Sequence, residues 1–285
     1  MGALDGKVAL ITGGARGQGR SHAIALAKEG ADIALADIAG DVSTVPYHLA
    51  TKADLDVTVA QVEALDRRAI SFTADMRSTE QVNRVVEATI AEFGRVDVLA
   101  ANAGIVSYAA VDDTSDEMWA NTLETNLTGV FKITRAVLPH MRRQGWGRIV
   151  ATASSIARSG RANVAAYAAS KWGVIGFVKS CAQDVAGTGI TVNALAPTIV
   201  ETDMIYNPGT FRLFCPDLAT PTAADFEARV RDMFGPAHLP AEEVSRALMY
   251  FVLDERGVYQ GNTMDIQYGM LTRNAVLPPV VNDEV

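Results

Sequence analysis

Cysteine is scarce: Cys181 and Cys215 stand far apart in a chain of 285 residues, which excludes a disulfide framework and a thiolate metal cluster and fits a reducing compartment. Positive charge is in deficit, with 25 Lys and Arg against 33 Asp and Glu for a net charge of −8, and no basic stripe is present. Nucleic acid is therefore not an expected partner, because that affinity comes from clustered cations. Histidine is rare as well. His22, His48, His140 and His238 show neither the i, i+4 pairing nor the clustered carboxylates of a zinc site, so no metal is expected. Long apolar runs are missing: no stretch approaches the roughly 20 residues that a membrane span needs, and no charged n-region precedes an apolar h-region. These absences predict a cytoplasmic protein with no membrane partner.

What is present is apolar sequence, 49% of the residues, enough for a large core in one expected domain over 1–285. Runs typical of strands buried on both faces recur at 7–12, 32–37, 69–73, 97–101, 147–152, 191–195 and 263–266. Between them, 19–28, 52–68, 79–93, 116–143, 164–186 and 241–253 read as amphipathic helices. This alternation, with right-handed crossovers, predicts an α/β fold: a Rossmann-type doubly wound sheet of about seven parallel strands flanked by helices. Two segments depart from it. Residues 39–51 follow the second strand as an added segment, and 203–240, carrying Pro208, Pro216, Pro221, Pro236 and Pro240, reads as a long loop. The apolar residues of that loop, Met204, Tyr206, Phe211, Phe214, Phe226, Met233 and Phe234, predict a hydrophobic lid over a substrate.

The first strand runs into Thr12-Gly13-Gly14-Ala15-Arg16-Gly17-Gln18-Gly19, and a helix opens at Gly19. A glycine turn between strand and helix presents backbone N–H groups to a pyrophosphate. Asp37 ends the second strand, where a carboxylate can accept hydrogen bonds from both ribose hydroxyls and repel a 2′-phosphate. Arg16 pulls the other way, toward a 2′-phosphate. Asp37 decides for NAD, because a carboxylate against the ribose is fixed there while a loop arginine can turn to water. Further on, Tyr167 and Lys171 stand one helical turn apart, with Ser154 ahead of them. A phenol titrates near pH ~10, so proton transfer at neutral pH needs its pKa lowered by roughly three units, about 4 kcal/mol. A lysine ammonium one turn away supplies part of that, and the charge of an oxidised nicotinamide supplies the rest. The pattern points to hydride transfer.

With the glycine run, Asp75, Asn102-Ala103-Gly104, Asn126, Ser154, the Tyr167 and Lys171 pair, and Asn193-Ala194-Leu195-Ala196-Pro197 running on to Thr202, the chain resembles the short-chain dehydrogenase/reductase family over nearly its whole length. The resemblance implies a cofactor site made by Gly13, Arg16, Gly17, Gln18, Gly19, Asp37 and Ile38, by Asp75 and Met76 at the adenine, and by Asn102, Ala103 and Gly104 on the ribose side. It places Pro197, Val200 and Thr202 at the nicotinamide carboxamide. Ser154 is implied to hold the substrate oxygen, Tyr167 to act as acid/base, Lys171 to bind the nicotinamide ribose and acidify the phenol, and Asn126 to hold a water against Lys171. Thr198 stands where the family usually has glycine, which puts substrate size in doubt more than chemistry.

A narrower resemblance rests on Ala15 through His22, on Pro46-Tyr47-His48-Leu49-Ala50-Thr51, and on Pro197-Thr198 followed by Phe211 through Asp217. These stretches are similar to the mycofactocin-coupled, carveol dehydrogenase-like branch of actinobacteria. That likeness implies an apolar, terpenoid-like secondary alcohol as substrate, tightly held NAD, and mycofactocin as its electron acceptor. Two readings stay open beside it: a ketone reductase, for 3-oxoacyl or steroid-like substrates, with freely exchanging NAD(P)H, and a non-catalytic dinucleotide sensor. The family also implies a homotetramer, paired through 116–143 and 164–186. The tail 273–285 carries no family pattern.

Overall fold

The computed structural model describes residues 2–235 and 238–267. Pro236, the side chain of Phe234 and the tail 273–285 lie outside the described residues. Among the described residues one parallel sheet is formed by β1 (Val8–Thr12), β2 (Asp32–Asp37), β3 (Ala69–Thr73), β4 (Val98–Ala101), β5 (Gly147–Thr152), β6 (Ile190–Pro197) and β7 (Thr263–Ile266). Its spatial order is β3-β2-β1-β4-β5-β6-β7. The helices are α1 (Gly17–Lys28), α2 (Lys52–Glu63), α3 (Thr79–Phe93), α4 (Asp116–Leu123), α5 (Gly129–Gln144), α6 (Ala165–Asp184), α7 (Pro208–Phe214), α8 (Ala223–Phe234) and α9 (Ala241–Val252).

Alternate residues of each strand serve opposite faces of the sheet. Leu10, Leu99 and Ile149 pack with Val82, Val137 and Val174 from α3, α5 and α6. Ile11, Val98 and Val150 pack with Leu26, Leu55 and Phe251 from α1, α2 and α9. Each such side chain, fully buried, contributes about 1.5–3 kcal/mol, so the strands are locked between two helical layers. The register sets Thr12 beside Ala36 and Ala101, and Thr152 beside Leu195, which brings the strand ends level. Strand order reverses between β1 and β4, and a crevice opens at that point.

Three elements depart from the sequence pattern. The helix expected over 52–68 ends at Glu63, because the chain leaves it through Asp66 at φ 58°. The single helix expected over 116–143 is α4, a π-helical turn at Glu124–Thr128, and α5. The extra residue in that turn directs Asn126 inward, where its amide meets the backbone of Ile105. The expected loop 203–240 contains α7 and α8. Asn207 caps α7 with Pro208 in its first turn, and Thr222 with Asp225 forms a capping box on α8. Phe214, Cys215, Phe226 and Val230 close on Ile199 as a small core of their own.

Candidate active site

The glycine run turns where β1 passes into α1, and it is packed against the end of β4. Gly13 sits at φ 65°, and a Cβ there would lie 2.9 Å from Ala103 Cα. A Cβ on Gly19 would lie 1.9 Å from the Gly13 carbonyl oxygen, so neither position admits a side chain. Thr12 Oγ1 accepts hydrogen bonds from the N–H groups of Asn102 (3.0 Å) and Ala103 (3.1 Å), fixing the two loops to each other. Asp37 is buried at the end of β2, accepting from Ala15 N (3.1 Å) and Ala39 N (3.2 Å). Burial pushes its carboxyl above the usual carboxylate range, and the two amides and Arg16 pull it part of the way back. Gln18 Oε1 is buried with no partner among the described residues. Arg16 does not turn to water: it donates to the His48 carbonyl at 2.5 Å and pairs with Asp203 at 2.9 Å.

The catalytic candidates converge from β5 and α6. Ser154 follows β5 and caps a 3-10 turn (Ser155–Arg158), accepting from Ile156 N at 3.3 Å. Its hydroxyl donates to the Pro197 carbonyl at 3.5 Å and stands close enough to the Tyr167 phenol to favour its ionised form. Tyr167 and Lys171 occupy successive turns of α6, with the ammonium 5.6 Å from the centre of the phenol ring. Lys171 donates to the Thr152 carbonyl at 2.7 Å. Lys171 is buried and Tyr167 half-buried, and withdrawal from water dominates the titration of both. It pushes the Tyr167 phenol up to about 12, against the pull of Ser154. It brings the Lys171 ammonium down to about 8. Without a cofactor, burial outweighs Ser154 and the phenol stands above its ordinary value.

Asn126 donates to the Ile105 carbonyl (2.9 Å) and Ser170 Oγ (3.1 Å), and accepts from Ile105 N (2.8 Å). Three of its amide's four hydrogen-bonding positions are thus taken, and one acceptor position is left for a water. Gly104 lies between it and the ammonium: a Cβ there would be 3.3 Å from Asn126 Oδ1 and 3.4 Å from Lys171 Nζ.

These groups share one cavity of about 900 Å³. Gly13, Arg16, Gly17, Gln18, Asp37, Ile38 and Met76 line one end, and Ser154, Tyr167 and Lys171 the other. Asn102, Ala103 and Gly104 lie along it, as do Pro197, Thr198, Val200 and Thr202. Gly19, Asp75 and Asn126 stand behind the lining. Asp75 turns to Arg77, which holds it through contacts of 2.7–3.1 Å; burial pushes the Asp75 carboxyl up, and the guanidinium brings it below its ordinary value.

Sequence reasoning missed Tyr47, Tyr108 and Arg161, which also line the cavity. The added segment 39–51 is stitched across it. Ser107 Oγ donates to the Thr44 carbonyl (2.7 Å), Val106 N to Tyr47 Oη (3.3 Å), Asn121 Nδ2 to Thr44 Oγ1 (3.2 Å), and Ser43 Oγ to Glu117 (2.7 Å). Tyr108 ties the other side, its hydroxyl 2.6 Å from Thr210 Oγ1 on α7. The available signal for Tyr47 was an aromatic inside a polar added segment, where a ring needs cover.

The model for the short chain dehydrogenase family matches residues 7–210. The chain is 40% identical over 273 residues to (-)-trans-carveol dehydrogenase of Rhodococcus erythropolis, covering 94% of this chain and 99% of that protein. It is 36% identical to a 3-oxoacyl-acyl-carrier-protein reductase of Thermotoga maritima, covering 94% and 99% of the two. The crystal structure of carveol dehydrogenase from Mycobacterium avium in complex with NAD superposes with a TM-score of 0.92 at 37% identity, over 96% of this chain and 100% of that one. Matched along most of its length in sequence and in fold, the chain belongs to the short chain dehydrogenase family and is an oxidoreductase of it.

Proposed function

We propose that this protein is an NAD-dependent dehydrogenase that moves a hydride between an apolar secondary alcohol and NAD, with Tyr167 as acid/base. The observation that carries this reading is the meeting, in one cavity, of Ser154, Tyr167 and Lys171 with the glycine loop and Asp37. The residues fit the cofactor: the glycine loop has no side chain at Gly13 or Gly17, and Asp37 is fixed at the β2 end. Gly13 through Gly19 would hold the pyrophosphate, and Asp37 and Ile38 the adenosine ribose. Met76 would meet the adenine, with Asp75 contributing backbone only. Asn102, Ala103, Gly104, Lys171 and Tyr167 would face the riboses, and Pro197, Val200 and Thr202 the carboxamide. When bound, oxidised NAD supplies a hydride acceptor and a positive ring.

Ser154 would fix the substrate oxygen beside the phenol, and Tyr167 would take the hydroxyl proton as hydride leaves the carbon. Burial raises Tyr167 to about 12. The Lys171 ammonium, 5.6 Å from the ring centre, would favour the phenolate, and the positive ring of the cofactor would add to it.

Ile105, Val106, Ile199, Met204, Leu213 and Phe214 along the cavity support an apolar, terpenoid-like substrate beneath 203–240, as does the likeness to carveol dehydrogenases. The stitched segment 39–51 and the two contacts of Arg16 support a cofactor held without exchange and reoxidised in place, with mycofactocin as the acceptor. A reductase of 3-oxoacyl or steroid-like ketones with freely exchanging NAD(P)H is the second reading, favoured by the 36% identity to the 3-oxoacyl reductase. Exposed Trp119, Phe131 and Trp172 on α4, α5 and α6 support pairing of those helices in a homotetramer. The test is a panel of alcohols assayed with and without an artificial electron acceptor. Acceptor-dependent turnover supports the first reading, free NADH release the second, and no oxidation by either route refutes both.

A further inference from the structure

Resting on the dehydrogenase reading, we propose that Tyr47 is a specificity-determining residue that donates a hydrogen bond to a second oxygen on the substrate, so that the preferred substrates are oxygenated at two positions. Tyr47 belongs to the segment 39–51, outside the strand and helix elements that carry the chemistry. The segment is nonetheless fixed: Val42 and Ala50 are buried, Thr44 is held by Ser107 and Asn121, and Leu49 N donates to Asp41 at 2.7 Å. That fixed path directs the phenol of Tyr47 into the cavity, where it lines the wall with Tyr108 and Tyr167.

The hydrogen bonding is one-sided. Tyr47 Oη accepts from Val106 N at 3.3 Å, and among the described residues its own proton meets no acceptor. A hydroxyl has a donor and an acceptor capacity to satisfy, and a donor withdrawn from water on substrate binding needs a new partner. Tyr108 turns its hydroxyl to Thr210 and the Met204 carbonyl, and no hydrogen bond joins it to Tyr47 among the described residues. No hydrogen bond joins Tyr47 to Tyr167 either, among the described residues. An acceptor oxygen on the substrate, away from the carbon that loses hydride, completes the set. A hydroxyl, ketone or ester oxygen each has the required chemistry. Such a donor discriminates between substrates, because an analogue lacking the oxygen leaves it unpaired.

The experiment compares cyclohexane-1,3-diol and cyclohexane-1,4-diol with 3- and 4-methylcyclohexanol, in which a methyl group replaces the second hydroxyl. In each oxidation the carbinol hydride passes to NAD, the hydroxyl proton to Tyr167, and a dye accepting two electrons reoxidises the cofactor. The wild-type protein is expected to prefer a diol over its methyl counterpart in kcat/KM. Tyr47→Phe, which keeps the ring, should lower kcat/KM for that diol by roughly tenfold and change the methylcyclohexanols by less than twofold. Retained NAD is measured on the same samples. A purely structural role for the phenol would loosen the segment, release NAD and depress all four alcohols alike, which would overturn the proposal. A wild-type preference for the methylcyclohexanols overturns it whether or not the variant folds. Failure of the wild type to oxidise any alcohol refutes the dehydrogenase reading itself, a result distinct from loss of discrimination.

Discussion

Removal of the Arg16 side chain should speed the loss of bound NAD. The guanidinium joins three pieces of chain at the cavity mouth: the glycine loop that carries it, the added segment through the His48 carbonyl, and the start of 203–240 through Asp203. The ion pair at 2.9 Å is partly solvated, with Arg16 25% and Asp203 62% exposed, and such pairs are worth about 0.5 kcal/mol. The hydrogen bond from a charged donor to the His48 carbonyl, at 2.5 Å, contributes about 1.5 kcal/mol. If both contacts must break before the cofactor leaves, Arg16→Ala lowers that barrier by about 2 kcal/mol and accelerates release roughly 30-fold. Asp203→Asn removes the ion pair alone and should accelerate it about twofold. The assay loads the protein with NAD, adds excess isotopically labelled NAD, and follows exchange by mass spectrometry. Release from Arg16→Ala within twofold of the wild type would refute the reasoning. Equal acceleration in the two variants would assign the latch to the ion pair and contradict the weight given to His48.

Asp37→Ala should relax cofactor selection, raising kcat/KM with NADP relative to NAD by about 100-fold, because the carboxylate that meets the ribose hydroxyls also repels a 2′-phosphate; steady-state kinetics with both cofactors checks it. His22 governs part of the acid stability. Burial lowers its imidazole from 6.5 to about 4, so between those values the unfolded chain binds more protons than the folded one. Its contribution, about 3 kcal/mol, is complete above pH 6.5 and is lost as pH falls toward 4, and chemical denaturation of His22→Asn should show a flatter pH dependence across that window.

The inner sheet was legible because its strands are buried on both faces and bounded by turn residues, so Val8–Thr12 and Asp32–Asp37 read as apolar runs without any need of tertiary information. The cofactor loop was legible for a related reason: Gly13 and Gly19 sit where no Cβ fits, and the spacing survives in the sequence. The π-helical turn was not, since Glu124–Thr128 continues a helical pattern and only the backbone of Ile105 explains why Asn126 turns inward. α7 and α8 were hidden behind prolines, although Asn207-Pro208 and the Thr222 capping box were there to be read. Least legible was the inward course of 39–51. The segment stood out as an addition, but the contacts of Thr44, Tyr47 and His48 that carry it over the cavity are all made with residues distant in sequence.

Tyr167→Phe, loaded with NAD and mixed with an alcohol the wild type oxidises, measures the central claim in a single turnover at 340 nm. The variant should retain NAD within about twofold of the wild-type affinity and form NADH at least about 10³-fold more slowly, since the ring remains in the wall and only the proton acceptor is gone. Reduction of the bound cofactor at a near-normal rate would contradict the account.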